Sequence, residues 1–281
     1  MQGKLSIVAT PIGNRGDITL RALDVLKDAD TVLAEDTRVT GKLLASYGIE
    51  AHLERCDENV IAARSAGLIE RMERGEHLAF CSDAGMPGVS DPGLVLVDAA
   101  RKAGIEVEVL PGASAVVTAL VSAGFSGTAF FFGGFLPRKQ KARESLLASL
   151  AALDAALVFY ESPHRVASAV SSIASVYGER EVALCRELTK LHEEVLRLPA
   201  PALLQQLEER PELKGEVVLV IAPPNGHEGK PDLNDPRLRE RIEQELSRGV
   251  PKSALAKQLA GELGVSKNEL YGLVHEIAQG N

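Results

Sequence analysis

Three loops of the chain have the composition of a small-molecule binding site. Each follows a short apolar run that we predict to be a β-strand, and each is rich in glycine, proline, serine or aspartate: residues 10–14, 82–93 and 111–115. Glycine lets the backbone approach a ligand closely, and Asp83 could accept a hydrogen bond from a hydroxyl or an amine. Glycine and proline also simply form turns. Because ligands of parallel sheets bind at the carboxyl ends of the strands, we predict that the three loops share one site.

The motifs that the chain lacks narrow the chemistry of this site. No GxGxxG follows the first predicted strand, and GxxxxGK[ST], HExxH and GxSxG do not occur. Dinucleotide oxidoreductases, P-loop nucleotide hydrolases, zinc peptidases and serine hydrolases therefore lose their usual support. Transfer of a group from a bound cofactor remains, and methyl transfer fits because an in-line displacement depends mainly on positioning. Composition and spacing alone do not identify the cofactor.

A basic stretch interrupts an otherwise acidic chain. The formal net charge is -8, yet Arg138, Lys139, Lys141 and Arg143 fall close together. The acidic balance argues against a general nucleic-acid coat protein, since phosphate binding needs positive potential. A local contact with RNA phosphates through these four residues stays possible. The alternative is the solvated start of a helix, and the sequence leaves both interpretations open.

Short apolar runs alternate with helical patterns through the first half, which predicts a mostly parallel sheet covered on both faces, and a second α/β unit follows. In the first half we predict strands at 5–9, 31–34, 77–81 and 105–110, and helices at 19–27, 60–74 and 94–102, with a short helix ending at Gly48. In the second half we predict strands at 128–132, 155–160, 181–185 and 216–221, and helices at 142–150 and 165–177. The predicted units are two α/β domains, 1–112 and 113–225, a linker at 222–229, and a helical module at 230–281.

The C-terminal module has the pattern of a helix-turn-helix. Two helices are predicted at 252–263 and 266–277 with Gly264 as the turn, and Ser266 with Glu269 forms a capping box. Such a unit can place Lys267, Asn268 and Tyr271 of its second helix on nucleic acid. From residue 230 onward, eight basic residues balance eight acidic ones. A structural cap or a dimerisation element is therefore nearly as reasonable an interpretation.

Six sequence blocks, all in order, resemble the small-subunit ribosomal RNA methyltransferase I family, which has the tetrapyrrole methylase-like fold. The blocks are VATPIGN at 8–14, AEDTR at 34–38, SDAG at 82–85, GFLP at 134–137, FYESPHR at 159–165 and RELTK at 186–190. The resemblance implies two α/β domains with a cofactor cleft between them. It also implies S-adenosylmethionine as methyl donor, the 2′-hydroxyl of a cytidine in 16S ribosomal RNA as acceptor, and a homodimer.

The resemblance also implies which residues surround the donor. These are Pro11, Ser82, Asp83, Ala84, Val89, Ser114, Ala115 and Tyr160. Two residues depart from the pattern: Arg15 stands where an apolar residue is usual, and Met86 where threonine is usual. Both changes keep the glycines, so they put only detailed contacts in doubt.

The catalytic candidates are Glu161, His164 and Arg165, which follow a predicted strand end. A ribose hydroxyl is a poor nucleophile, so a positioned base or a charge-stabilising group would help. The alternative for His164 is a structural role at a helix start. A second group of charged residues is open to an equally structural interpretation as ion pairs: Glu35, Asp36, Arg38, Glu187 and Lys190.

The sequence leaves two alternatives to ribosomal RNA methylation open. A corrin or porphyrin methyltransferase of the same fold should lack the basic stretch and the helical tail, and a ligand-sensing DNA-binding regulator would use the helix-turn-helix on an operator. We expect a cytoplasmic protein with no membrane segment, because no run approaches the ~20 apolar residues of a span. Three scattered cysteines, Cys56, Cys81 and Cys185, suit a reducing compartment.

Overall fold

The first half of the chain folds into a five-stranded parallel sheet. The computed structural model describes residues 3–90, 93–127, 129–210, 212–224, 233, 236–263 and 265–278. The strands are β1 (Lys4–Val8), β2 (Thr31–Ala34), β3 (Leu53–Arg55), β4 (His77–Cys81) and β5 (Glu106–Leu110), and their order in the sheet is β3-β2-β4-β1-β5. Every pairing in this sheet is parallel. The predicted parallel sheet is confirmed here.

Four helices cover both faces of this first sheet. They are α1 (Leu20–Asp28), α2 (Thr37–Ser46), α3 (Ile61–Glu73) and α4 (Gly93–Lys102). Successive side chains of a strand point to opposite faces. In β4, Leu78 and Phe80 therefore pack against α3 and α4, while Ala79 and Cys81 pack against α1 and α2. The near-continuous apolar character of β4 is thus the consequence of burial on both sides.

The second half forms another five-stranded sheet, in which most pairings are antiparallel. Its strands are β6 (Phe130–Phe135), β7 (Ala156–Glu161), β8 (Glu181–Arg186), β9 (Glu194–Pro199) and β10 (Val217–Ile221), in the order β6-β7-β10-β8-β9. Only β6 and β7 run parallel to each other. The mostly parallel sheet is predicted for the first half only; the second predicted α/β unit is confirmed, and its sheet is largely antiparallel. β10 inserts between β7 and β8 in the opposite direction, and β9 returns along the edge after a short loop.

The two faces of the second sheet are covered differently. Helices α6 (Gln140–Leu150), α7 (Val166–Tyr177) and α8 (Ala200–Glu208) pack on one face. Helix α5 (Ala115–Ala123) packs on the other face, together with Ile12 from the first half of the chain. The loop after β1 therefore takes part in the core of the second sheet. This shared core brings the carboxyl edge of the first sheet against the second sheet.

Three helices form the C-terminal module. They are α9 (Pro236–Ser247), α10 (Lys252–Leu263) and α11 (Lys267–Ile277), and they share an apolar core that includes Ile242, Leu259 and Val274. The predicted capping box of α11 is present, and Lys267, Asn268 and Tyr271 are exposed as expected. None of the helices in the described part of the chain has the length and apolar character that a membrane crossing requires.

Some predicted features fall outside the described residues. They are the turn at Gly264, most of the predicted linker (225–229), the first residue of the strand predicted at 128–132, and two positions of the loop 82–93 (91–92).

Candidate active site

A cavity of about 380 Å³ lies where the carboxyl edge of the first sheet meets the second sheet. Its volume is within the range of small-molecule sites. The lining from the first-sheet side and the start of α5 comprises Ile12, Ala84, Gly85, Met86, Val89, Ser90, Ser114 and Ala115. The lining from the second sheet comprises Phe135, Tyr160, Glu161, Ser162, Pro163, Gly215, Glu216, Val217 and Val218. The three loops predicted to share a site do converge on this cavity.

Backbone hydrogen bonds fix the first two loops to each other. Thr10 and Gly85 exchange two bonds of 2.9 Å, one from each N–H to the other residue's carbonyl. Gly85 has a φ of +83°, a conformation that favours glycine. The hydroxyl of Thr10 also donates to the carbonyl of Ser82 at 3.1 Å. The part of the cavity wall made by these loops is therefore held by main-chain contacts and does not depend on flexible side chains.

A clamp beside the cavity consists of one hydrogen bond between the two halves of the chain and of ion pairs within the second half. The N–H of Asn14, after β1, donates to Thr189 Oγ1, after β8, at 3.0 Å. Lys190 Nζ donates to Glu187 Oε1 at 2.8 Å and to Glu216 Oε2 at 2.9 Å. The N–H of Glu216, which lines the cavity, donates to Glu187 at 3.0 Å. The hydrogen bond from Lys190 is the main reason that the pKa of Glu187 lies below its ordinary value.

Strained backbone is retained in this clamp. Glu187 and Thr189 have φ values of 51° and 66°, which side-chain-bearing residues rarely adopt. Such conformations cost about 1–3 kcal/mol each and persist where surrounding contacts determine them. The structural interpretation of Glu187 and Lys190 as an ion pair is confirmed, and the pair contacts Glu216, which lines the cavity.

The N-terminus of α5 opens into the cavity. Ser114 occupies the N-cap position, but its side chain makes no capping hydrogen bond, and both Ser114 and Ala115 line the cavity. The first N–H groups of a helix have no acceptor within the helix and carry partial positive charge. This end of α5 is consequently suited to an anionic group of a ligand.

Aromatic rings form one side of the cavity. Tyr160 contacts Phe132 and Phe135 edge to face, with ring centroids 5.0 Å and 5.5 Å apart. The pairing register between β6 and β7 shifts between Phe132 and Phe135, where Gly134 has a φ of +64°. This irregularity turns the end of β6 so that Phe135 lines the cavity while 59% of it remains exposed.

Five of the eight residues predicted around the donor line the cavity: Ala84, Val89, Ser114, Ala115 and Tyr160. Pro11, Ser82 and Asp83 do not line it, although Pro11 and Asp83 are adjacent in sequence to lining residues and Ser82 is two residues from Ala84. Asp83 instead accepts a hydrogen bond from the N–H of Asp36 at 3.0 Å. Burial, reinforced by the charge of Asp36, raises the pKa of Asp83.

Sequence reasoning missed the wall made by residues 215–218. These residues begin β10, and β10 runs antiparallel to β7, so its first residues lie beside the last residues of β7. A parallel arrangement would have placed them at the opposite end of the sheet. The signal available in the sequence was Gly215, two residues before the apolar run 217–221. In the structure Gly215 has a φ of +95°.

Of the three catalytic candidates, only Glu161 lines the cavity. Its side chain has no exposed surface; Oε1 accepts from the N–H of Ser162 at 2.8 Å, and Oε2 lies 3.4 Å from Arg165 Nη2. Burial raises the pKa of Glu161 above its ordinary value. His164 is exposed and does not line the cavity. Arg165 donates to the carbonyl of Leu136 at 2.8 Å and so fixes the chain that leaves β6.

The predicted RNA contact at Arg143 is wrong. Arg143 is only 4% exposed, because its position on α6 faces α7. Its guanidinium donates to Ser172 Oγ and to the Ser168 carbonyl, both at 2.9 Å, and to the Pro137 carbonyl at 3.4 Å. Arg143 therefore holds structure together and cannot reach phosphate. The other three residues of the basic stretch are exposed: Arg138, Lys139 and Lys141.

Comparison with known proteins agrees with this fold and site. The sequence profile of the Tetrapyrrole (Corrin/Porphyrin) Methylases matches residues 4–204. A uroporphyrin-III C-methyl transferase from Thermus thermophilus, solved in complex with S-adenyl homocysteine, shares the fold with a TM-score of 0.56 at 16% identity, over 78% of this chain and 97% of that one. The chain thus belongs to the Tetrapyrrole (Corrin/Porphyrin) Methylases family, and the protein is a methyltransferase of this class.

Two curated relatives narrow the class. Ribosomal RNA small subunit methyltransferase I from Escherichia coli O157:H7 is 42% identical, over 96% of this chain and 94% of the relative. The protein with the same name from Synechocystis sp. is 38% identical, over 98% of both chains. The chain therefore belongs to the ribosomal RNA small subunit methyltransferase I family, which confirms the resemblance seen in the ordered blocks.

Proposed function

We propose that the protein transfers the methyl group of S-adenosylmethionine to the 2′-hydroxyl of a cytidine in 16S ribosomal RNA. The observation that carries this proposal is the cavity between the two sheets, beside an exposed basic stretch. One wall has an uncapped helix N-terminus and the others are largely apolar, which suits a ligand with a carboxylate at one end and an aromatic ring system at the other. Methyl transfer needs little more from a protein than such positioning.

The lining residues fit the donor. The first turn of α5, at Ser114 and Ala115, would hold the donor's carboxylate through its free N–H groups. Ile12, Val89 and Tyr160 would pack against the adenosine part, and they exclude water from it. When bound, the donor supplies a sulfonium whose methyl group is electrophilic. The donor contacts predicted from the resemblance also include Pro11, Ser82 and Asp83. These residues would not touch the donor but would fix the loops that carry Ile12 and Ala84.

We assign Glu161 a positioning role in this reaction. Its carboxyl group is covered on all sides, so it cannot meet the acceptor hydroxyl in this arrangement. It pairs instead with Arg165, which holds the Leu136 carbonyl at the cavity mouth. Arg165 would act in the same way. His164, being exposed, would contribute only through contact with RNA.

The acceptor RNA would lie across the cavity mouth. Arg138, Lys139 and Lys141 follow directly after β6, and within the described ranges none of them forms an ion pair. Free cations on an acidic protein are suited to phosphate contacts. The exposed residues Lys267 and Tyr271 of α11 would provide a second docking surface.

We further propose that the protein acts as a cytoplasmic homodimer. The support for a dimer is the apolar outer face of α5, where Val117 and Val121 are 50% and 74% exposed. Exposed apolar clusters of this kind commonly mark protein interfaces.

A methyl-transfer assay with several acceptors tests the proposed function. Donor labelled in its methyl group is incubated with the protein and with small ribosomal subunits, free 16S RNA, duplex DNA or a porphyrinogen. We expect label in ribosomal RNA, recovered after nuclease digestion as 2′-O-methylcytidine. Label in the porphyrinogen alone would establish the corrin or porphyrin alternative, and label in no acceptor would contradict enzymatic RNA methylation.

A further inference from the structure

We propose that Phe135 is a stacking platform for an unpaired nucleobase of the acceptor RNA, an inference that rests on the proposed RNA methylation. Phe135 is at once a lining residue of the cavity and 59% exposed. Apolar side chains of this size are usually buried. An aromatic face that is open to solvent at the mouth of an active site has the geometry of a base-binding surface.

The local backbone holds Phe135 in this exposed position. The register shift after Phe132 and the positive φ of Gly134 turn the strand end outward. Gly133 cannot carry a side chain without displacement, because a Cβ there would lie 2.3 Å from the ring of Phe159. The rings of Phe135 and Tyr160 meet edge to face, with centroids 5.5 Å apart. Tyr160 thus supports part of the Phe135 ring, and 59% of Phe135 remains exposed to a ligand.

The cations that would hold the RNA backbone lie next to this ring. Arg138 is three residues after Phe135, so their Cα atoms are within roughly 11 Å of each other. The chain between them is anchored at two carbonyls: Arg165 donates to Leu136, and Arg143 donates to Pro137. The backbone between the aromatic ring and the cations is therefore held by two arginines, of which Arg143 is buried. An aromatic ring beside cations is the combination that binds single-stranded nucleic acid, with bases stacking and phosphates pairing.

A donor inside a cavity favours an unstacked acceptor nucleotide. A nucleotide that leaves the helical stack can bring its ribose hydroxyl deeper into the cavity, and leaving the stack costs stacking energy. Stacking on an aromatic side chain recovers part of that cost. We expect removal of the ring to weaken RNA binding about 5- to 100-fold, and we expect it to leave donor affinity almost unchanged.

A fluorescence experiment tests the stacking directly. The chain contains no tryptophan, so Phe135→Trp introduces a single fluorescent reporter. We expect a short single-stranded RNA that contains cytidine to quench this reporter, and duplex RNA of the same sequence to quench it much less. Phe130→Trp is the matched control, because Phe130 begins the same strand, is 45% exposed and does not line the cavity. Quenching by S-adenosylhomocysteine alone, with no further quenching by RNA, would make Phe135 a donor contact and overturn the proposal.

A kinetic experiment separates this inference from the proposed function. Phe135→Leu keeps apolar volume but removes the aromatic face, and we expect it to raise KM for RNA about 5- to 100-fold with an unchanged dissociation constant for the donor. Phe130→Leu should retain wild-type constants. If wild-type protein methylates RNA and Phe135→Leu has the wild-type KM, stacking is refuted and the proposed function stands. If wild-type protein methylates no RNA, the proposed function fails, and the fluorescence experiment still decides whether Phe135 binds a base.

Discussion

Replacing Arg143 with alanine should destabilise the protein, although the residue belongs to a stretch whose composition suggests RNA binding. Arg143 is buried on α6, and its guanidinium donates to the carbonyls of Pro137 and Ser168 and to the hydroxyl of Ser172. The variant removes all three donors and leaves a cavity between α6 and α7.

The expected magnitude follows from these contacts. A buried acceptor that loses its donor costs about 1–3 kcal/mol, and the hydroxyl of Ser172 can partly compensate by rotating. The relief of a buried charge offsets some of the remainder. We expect a net loss of about 2–4 kcal/mol, which corresponds to a fall in melting temperature of roughly 5–15 °C for a protein of this size.

The exposed neighbour Lys141 supplies the matched comparison. Lys141→Gln should leave the melting temperature of the protein within about 1 °C of wild type, since isolated surface charges contribute little. It should weaken RNA binding at low salt and reduce the dependence of log K on log[salt] by about 0.7–0.9. Differential scanning fluorimetry and filter binding measure both quantities. The reasoning would be refuted if Arg143→Ala melted like the wild type and lost RNA affinity as Lys141→Gln does.

Three further predictions concern the backbone, the clamp and pH. Gly85→Ala places a side chain at φ +83° and should lower the free energy of unfolding, measured by chemical denaturation, by about 1–3 kcal/mol. The control Gly67→Ala, on the open surface of α3, should raise the free energy of unfolding by up to about 1 kcal/mol. Equal effects of the two substitutions would contradict the backbone argument. Lys190→Met removes the ion pairs that hold the turn after β8 to Glu216, a lining residue of the cavity, and should weaken S-adenosylhomocysteine binding roughly 5- to 30-fold by calorimetry; an unchanged affinity would show that these ion pairs do not position the cavity wall. Burial, reinforced by Lys4, holds the pKa of His77 below its ordinary value of 6.5. The stability that neutral His77 contributes is therefore present above pH 6.5 and is lost as the pH falls toward the folded-state pKa. His77→Gln should flatten this part of the melting-temperature profile, and an unchanged profile would exclude His77 as the titrating group.

Much of the first half could be predicted because its signals are local. Apolar runs such as 77–81 are buried on both faces and therefore stand out in sequence, and β4 has these same bounds. The glycine-rich loops lie at the ends of parallel strands, where topology alone brings them together. The cavity wall from Ala84 to Val89 could be inferred for this reason.

The second half could not be predicted to the same depth, because its contacts are long-range. β9 alternates partly exposed residues along a sheet edge and so gives no continuous apolar signal, as is also true of the three-residue β3 in the first half. The direction of β10 depends on its neighbours in the sheet. The burial of Arg143 depends on the packing of α6 against α7, which charge patterning along the chain does not report. The division of the chain at residues 112 and 225 stays a prediction.

The central claim is that the cavity between the two sheets holds the methyl donor. Isothermal titration calorimetry with S-adenosylhomocysteine tests it on the wild type and on Ala84→Trp, which would fill the cavity from an exposed loop position. The account predicts saturable binding to the wild type and a loss of at least about 30-fold in the variant at an unchanged melting temperature. Equal affinity of the two proteins would contradict the account, because the donor would then bind elsewhere.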